Sequence, residues 1–356
     1  MITKTVKGDL KYIYKNFTKE ELQILSGKKI LVTGFAGSLG YMLMMFLTEY
    51  AEELNINKVY GIDNFVFGKP VWIKSLEDNP IFSLKEGDIT NYDLEFASDA
   101  KIIFHMASLA SPVYYRKYPI ETIDADVIGL RRLLDFYKNK DIYNLLFYST
   151  SEVYGDPVDG QVPTPETYFG NVNTSGPRAC YDESKRFGET LCYNFHYKYN
   201  MPITVVRPFN SFGPGLRTND KRVVADFAKS IIENENIVIY SDGTATRTFS
   251  YAADTTLGCI KCALHDKYDI FNIGYDKEEI SVLQLANMYK DIGGKYFNYD
   301  GKIIFEIHWD KHYLTDNPKR RCPNINKAKE ILNFSPKIDT VTGIKYYLNF
   351  LYENKS

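Results

Sequence analysis

The chain has 356 residues, with 43 Lys and Arg against 45 Asp and Glu and a formal net charge of −2. That balance offers nucleic acid no broad electrostatic attraction. No apolar run approaches the about 20 residues that a membrane helix needs. The length suits one large α/β domain or two closely joined ones. The first residues, MITKTVKGDLKYIYKNF, lack an apolar signal-peptide core. Five cysteines imply reduced thiols and a cytoplasmic setting. Cys259 and Cys262 form C-x-x-C inside a helical pattern without a second pair, so packing is the expected role and no metal site is assigned.

In chain order, Leu10, Ile13, Tyr14 and Phe17 fall at helical spacing and predict one amphipathic helix. A second helix follows over Thr18–Leu25. This 1–27 segment is read as a helical appendage, packed on the domain or used between subunits. Lys28–Gly40, KKILVTGFAGSLG, comes next. Its apolar run, Ile30–Val32, predicts a buried strand, and Tyr41–Tyr50 predicts a helix. Between them lie Gly34, Gly37 and Gly40, spaced G-x-x-G-x-x-G. A glycine turn there lets backbone N–H groups approach a pyrophosphate, helped by the helix dipole. Such turns also occur without ligands.

Lys58–Ile62 predicts a second strand, ending at Asp63-Asn64. A carboxylate a little over about 20 residues beyond the glycines can bind both ribose hydroxyls of NAD and repel the extra phosphate of NADP. A turn-capping aspartate is the plainer alternative. Phe82–Lys85, followed by Gly87-Asp88-Ile89-Thr90, and Lys101–His105, followed by Met106-Ala107-Ser108, give two more strands. Pro119–Lys138 reads as one long helix, and Asn144–Tyr148 as a fifth strand ending Ser149-Thr150-Ser151-Glu152. Strands alternating with helices imply a doubly wound parallel sheet, whose ligands bind beyond the carboxyl ends of the strands. The candidate cofactor contacts are Gly34, Gly37, Ser38, Leu39, Gly40, Asp63, Asn64, Asp88, Ile89, Ala107, Ser108 and Ala110.

An irregular loop over Pro157–Arg178 precedes a helix from about Cys180 to Tyr199. A sixth strand, Thr204–Val206, leads to Arg207-Pro208-Phe209-Asn210, and Pro208 joins the cofactor candidates. Beyond Asn210 come a basic loop (Ser211–Arg222), helices at Val223–Glu233, Ala253–Leu264 and Val282–Asp291, and strands at Ile237–Tyr240, Phe271–Ile273 and Lys302–Ile307. Two short helices, Ile325–Leu332 and Val341–Tyr352, close the chain. Residues 28–209, with a return segment of about 248–273, are assigned to the dinucleotide domain. Residues 210–247 and 274–356 are assigned to a smaller substrate-binding lobe.

Tyr181 and Lys185 stand at i and i+4 on one helix and share a face. A nearby ammonium favours the phenolate and lowers the tyrosine pKa. Such a tyrosine can take a proton from a sugar hydroxyl while hydride leaves the same carbon. Thr150, at a strand end, is placed to hydrogen-bond that hydroxyl. A Tyr-x-x-x-Lys pair is common by chance. Together with the glycine turn, Asp63 and Thr150 it becomes informative, and Tyr181 and Lys185 are also candidate cofactor contacts.

With these features in place the chain, from Lys28 to Tyr352, resembles the extended short-chain dehydrogenase/reductases that act on nucleotide sugars. Within them it is most similar to UDP-glucuronate decarboxylases. The matching stretches are ASPVYYRKYP from Ala110, STSEVYGDP from Ser149, GPRACYDESKRFGETLCY from Gly176, NDKRVVADF from Asn219 and NPKRRCPNINKAKEIL from Asn317. The resemblance implies a Rossmann-type fold with a smaller C-terminal α/β lobe, a tightly held NAD, a UDP-sugar substrate and a homodimer through helices around Leu130 and Leu191. It implies hydride-transfer roles for Thr150, Tyr181 and Lys185, and catalytic roles for Glu152 and for Arg247, which would face the C5 substituent of the sugar. Substrate contacts fall at Tyr115, Ser151, Asn210 and Arg247, with Arg217, Arg222 and Tyr240 at the nucleotide diphosphate end. The alternative for each arginine is a solvated or paired surface charge.

Ser151 stands where sugar-nucleotide 4,6-dehydratases carry an aspartate that protonates the departing hydroxyl. Serine is a poor acid at neutral pH, which argues against water elimination. A 4-epimerase, a 4,6-dehydratase or a 4-oxidase on a different nucleotide sugar remains the alternative, and a non-catalytic binding protein is the reading from another class. Three departures from the family pattern stand out. Phe35 replaces a glycine of the turn, Asp126 replaces an asparagine before Val-x-Gly, and the loop before Asn219 reads GPGLRT where decarboxylases usually carry Gly-Pro-Arg.

Overall fold

Seven parallel strands form the central sheet of the computed structural model, which describes residues 2–308 and 310–355. Met1, Trp309 and Ser356, which the assigned terminal segment and C-terminal lobe include, lie outside the described residues. The first six strands are β1 (Lys29–Thr33), β2 (Lys58–Asp63), β3 (Phe82–Glu86), β4 (Ile102–His105), β5 (Asn144–Tyr148) and β6 (Ile203–Pro208). Asp269–Ile273 pairs with β6 as the seventh. The order across the sheet is Asp269–Ile273, β6, β5, β4, β1, β2, β3. Every residue of β5 and nearly all of β1 and β4 is buried, as expected of strands covered by helices on both faces. The doubly wound fold expected from the alternation of elements is the fold observed. Among the described residues no helix is long and apolar enough to cross a membrane.

Local differences from the sequence expectation have physical causes. The helix after the glycine turn starts at Ser38 rather than Tyr41, because Gly37 has the extended backbone of an N-cap. The single long helix expected over Pro119–Lys138 is interrupted. Pro119–Ile123 and Leu130–Tyr137 are α-helical, while Asp124–Gly129 between them is a π-helical turn. A further helix, Pro112–Lys117, precedes them.

The terminal helices α1 (Lys4–Lys15) and α2 (Lys19–Leu25) pack into the body of the protein. Val6, Leu10 and Ile13 are fully buried in the same apolar cluster as β1. Asp9 on the buried face of α1 accepts a hydrogen bond of 2.7 Å from the Tyr251 hydroxyl. Burial, with smaller contributions from the charges of Asp254 and Glu353, pushes its carboxyl up to about 7. A carboxyl raised in the folded state favours folding most when it is protonated. Its contribution is complete below the unfolded value and is lost as pH rises through about 7. Asp9→Asn is therefore expected to be more stable than the parent at pH 8 by about 1–4 kcal/mol. That advantage should shrink toward pH 5, as read by urea denaturation of both proteins.

The C-terminal part builds smaller sheets beside the carboxyl edge of the main one. Thr246–Arg247 pairs antiparallel with Ile280–Ser281 and parallel with Arg320–Arg321, in a register that sets Arg247 opposite Arg321. Ile303–Phe305 pairs with Ile237–Ile239. The long helix Ala179–Tyr199 crosses the ends of β5 and β6. It is tied there by Glu189, which accepts from the Ser149 hydroxyl at 2.5 Å and pairs with Arg207 at 2.5 Å.

Candidate active site

Two clefts open at the carboxyl edge of the sheet and meet at Tyr181. The first is bounded by the glycine turn after β1, the end of β2 and the segment after β4. It is lined by Gly34, Gly37, Ser38, Leu39, Gly40, Asp63, Asn64, Asp88, Ile89, Ala107, Ser108, Ala110, Tyr181 and Lys185.

A nicotinamide dinucleotide fits these residues. Gly34 has φ +69, and a Cβ there would lie 2.6 Å from the backbone of Ala107. Only glycine lets β1 and β4 end so close together and leaves the turn's backbone facing the cleft. The Ser108 hydroxyl is buried without a partner among the described residues. Asp63 accepts the Ala36 N–H at 2.9 Å and the Phe65 N–H at 2.8 Å, which fixes its carboxylate beside the turn. Phe35 is fully buried and leaves the glycine spacing intact. Its ring meets β2 at Gly61, where a Cβ would lie 2.8 Å from it. Gly34→Ala is expected to abolish NAD binding in equilibrium dialysis, because φ and the Ala107 backbone both oppose a methyl group there.

The second cleft is lined by Tyr115, Thr150, Ser151, Glu152, Arg178, Pro208, Asn210, Tyr240, Arg247 and Arg321, among others. Glu152 lies in the short helical turn Ser151–Tyr154, and its own N–H donates to the capping Thr150 hydroxyl at 3.2 Å. Glu152 forms ion pairs with Arg178 and Arg321. Burial would raise its carboxyl, but Arg178 and then Arg321 outweigh burial and hold it well below the usual range. Asp182 is 3.4 Å from Arg178, and burial together with the Glu152 charge pushes its carboxyl up.

Arg247 is buried, yet none of its hydrogen bonds goes to a carboxylate. It donates to the carbonyls of Thr246 at 2.8 Å and Lys319 at 3.2 Å, to Asn317 Oδ1 at 3.1 Å and to the Pro318 carbonyl. Burial, then the Arg321 charge, lowers it to about 10. Arg178 and Arg321 thus share Glu152, Arg178 also reaches Asp182, and Arg247 has no carboxylate partner. The cleft holds positive charge that an anionic ligand would neutralise. The Tyr115 hydroxyl, also buried, has no partner among the described residues, and its ring stacks on Tyr181 at 5.1 Å and 5°.

Three sequence expectations need correction. The Tyr181 phenol is raised rather than lowered in this arrangement, although Lys185 lies near its ring. The Lys185 ammonium is 3.0 Å from Asp126 Oδ1 and donates to the Tyr148 carbonyl at 2.9 Å. Burial, then the Asp126 charge, pushes the Tyr181 phenol up, opposed by a hydrogen bond with Thr150. Arg217, expected at the substrate's diphosphate, lines the first cleft instead. Gly215 packs against the Ser38 carbonyl, where a Cβ would lie 2.5 Å away, and this turns the GPGLRT loop over the glycine turn. Arg217 then donates to the carbonyls of Phe67 at 2.5 Å and Gly68 at 3.2 Å. Pro208, expected at the cofactor and the last residue of β6, lines the second cleft and not the first. Arg222 borders both clefts and is paired with Asp220.

Arg178 and Arg321 were given no role by the sequence, although both lie in stretches that carried the resemblance. Their signal was basic residues inside otherwise irregular matched segments. Tyr313, also in the second cleft beside Tyr240 at 5.8 Å, had no sequence signal.

Comparison with known proteins places the chain in a family. The profile of the NAD dependent epimerase/dehydratase family matches residues 30–274. The chain belongs to that family. It is 36% identical over 316 residues to UDP-glucuronic acid decarboxylase 1 of Arabidopsis thaliana, covering 89% of this chain and 68% of the relative. It is 34% identical to UDP-glucuronic acid decarboxylase 5 of the same plant, covering 90% of this chain and 88% of the relative. The solved UDP-glucuronic acid 4-epimerase of Bacillus cereus, in complex with UDP-glucuronic acid and NAD, superposes with a TM-score of 0.75 at 27% identity, covering 92% of this chain and 99% of the other. The protein is an NAD-dependent enzyme of this family.

Proposed function

We propose that this enzyme decarboxylates UDP-glucuronate to UDP-xylose by transient oxidation at C4 of the sugar. The observation that carries the reading is Arg247, a buried guanidinium without a carboxylate partner in a cleft that three other arginines, Arg178, Arg222 and Arg321, also line. A sugar carboxylate supplies the missing anion. The curated decarboxylases named above support the same substrate.

NAD, held by the glycine turn, Asp63 and the segment Ala107–Ala110, supplies a reversible hydride acceptor for C4. Tyr181 takes the C4 hydroxyl proton, with Thr150 hydrogen-bonded beside it. A ketone at C4 is β to the C6 carboxylate, so carbon dioxide leaves while the C5–C6 electron pair passes to the ketone oxygen; the enolate then takes a proton at C5, and C4 takes back the hydride and the Tyr181 proton to give the xylose. Arg247 orients the carboxylate before this step. Glu152 is kept ionised by Arg178 and Arg321, which suits it to position a water or a sugar hydroxyl rather than to donate a proton. Tyr240 and Tyr313, at the far end of the cleft, offer aromatic faces to the uracil. Ser151 leaves the site without the acid that dehydration uses.

The solved UDP-glucuronic acid 4-epimerase favours a second reading, inversion at C4 with the carboxylate retained. Mass spectrometry of the product from UDP-glucuronate and NAD separates the two. Decarboxylation removes one carbon dioxide, whereas epimerisation leaves the mass unchanged.

The enzyme acts, in this reading, as a cytoplasmic homodimer. The dimer would form through the helices around Leu130 and Leu191, of which Leu130 itself faces inward. Ile120, Ile123 and Ile128, with Phe187 and Tyr193 on the helix packed beside them, are all more than one-third exposed. This apolar surface is what two copies would cover. Phe187→Asp is expected to shift sedimentation velocity from dimer to monomer.

A further inference from the structure

The buried counter-ion of Lys185 is used by none of the steps above. Asp126 is fully buried within the π-helical turn Asp124–Gly129. Its Oδ1 is 3.0 Å from the Lys185 ammonium, and its Oδ2 accepts from the Ser184 hydroxyl at 2.9 Å. The extra residue of a π-turn re-aims the side chains that follow it, and such turns collect at functional sites. Here the turn directs a carboxylate at the catalytic helix.

We propose that Asp126 is a positioning residue, a buried counter-ion that occupies the Lys185 ammonium and thereby sets the pH at which Tyr181 can accept the substrate's proton. The inference rests on the reading of Tyr181 as the base.

An ammonium near a phenol stabilises the phenolate. An ammonium already paired with a carboxylate exerts much less net field, and the carboxylate adds its own repulsion. The other charged or titratable groups around Tyr181 do not restore the balance. On its own helix lies Asp182. Glu152 approaches from the turn after β5 and Arg178 from the start of the helix. Arg222 comes from the loop before Val223–Glu233. His105, at the end of β4 and facing Lys185, is held neutral by burial and then by the Lys185 charge, down to about 3. Arg178 is committed to Glu152 and Asp182, and Arg222 to Asp220. Asp126 is thus the anion whose removal frees a cation beside the base.

The test is Asp126→Asn, which keeps the side-chain shape and removes the charge. Tyr181 ionisation is read without substrate. The tyrosinate absorbance of NAD-saturated protein is titrated, and the titration of the matching Tyr181→Phe protein is subtracted. The Tyr181 signal is expected about one pH unit lower in D126N, and the acid limb of kcat should move with it, raising turnover about tenfold on that limb. A folded D126N whose Tyr181 signal stays in place overturns the proposal. If the signal moves but neither protein turns over UDP-glucuronate, the substrate reading fails and the role of Asp126 stands. Should D126N fail to fold, Asp126→Ser is titrated in the same way. A Tyr181 signal about one pH unit below the parent's supports the counter-ion role, and an unchanged signal contradicts it.

Discussion

Tyr181→Phe is expected to lower kcat by about 10²–10⁴-fold while NAD and UDP-glucuronate continue to bind. The substitution removes one hydroxyl and keeps the ring stacked on Tyr115 at 5.1 Å. Lys185 is held by Asp126 and the Tyr148 carbonyl rather than by the phenol, so the cofactor side of the site is undisturbed. What is lost is the group that accepts the C4 proton, a loss felt in the chemical step and not in the ground state. Single-turnover kinetics with parallel binding titrations check this split. Near-parental turnover would place the base elsewhere.

The second large effect is expected at Arg247. Arg247→Met removes the buried guanidinium that pairs with no carboxylate of the protein. An ion pair of this kind with a buried substrate carboxylate is worth about 3–5 kcal/mol when one partner is removed, so kcat/KM for UDP-glucuronate should fall by about 10²–10³. UDP-glucose, whose sugar carries no carboxylate, should bind the variant and the parent equally within a few-fold. The two ligands thereby separate a carboxylate contact from general damage to the cleft. Equal losses for both would mean that Arg247 supports the walls, through the carbonyls of Thr246, Pro318 and Lys319, rather than the substrate.

These residues were legible in the sequence to different depths, for reasons that lie in how each is positioned. Tyr181 and Lys185 share a helix face by spacing alone, so their juxtaposition needs no tertiary information. The glycine turn and Asp63 are set by neighbouring strands of an alternating α/β pattern, and the parallel sheet makes their convergence a general consequence. Arg321 reaches the site differently. It stands opposite Arg247 because two-residue strands from distant parts of the chain pair in one register, which no local pattern announces. Arg178 belongs to the irregular loop end before the long helix, and its pairing with Glu152 appears only when the turn after β5 is folded beside it.

The misplacement of Arg217 has the same origin. A basic loop was assigned to the substrate lobe by its position in the chain, but Gly215 brings it against Ser38 and so to the cofactor cleft. Lys185 shows a subtler limit. Its spacing to Tyr181 was right, yet the electrostatic consequence depended on a third residue. Asp126 was visible as an unusual aspartate, while its aim toward Lys185 required the π-turn that interrupts an apparently continuous helical pattern.

The carboxylate held by Arg247 is the group that leaves in the proposed reaction. The most direct measurement uses UDP-glucuronate labelled with carbon-13 at C6, incubated with the enzyme and NAD, with the evolved gas analysed by mass spectrometry. Labelled carbon dioxide is expected in amounts equal to the nucleotide sugar consumed. Consumption or isomerisation of the sugar with the label retained in the product would contradict it.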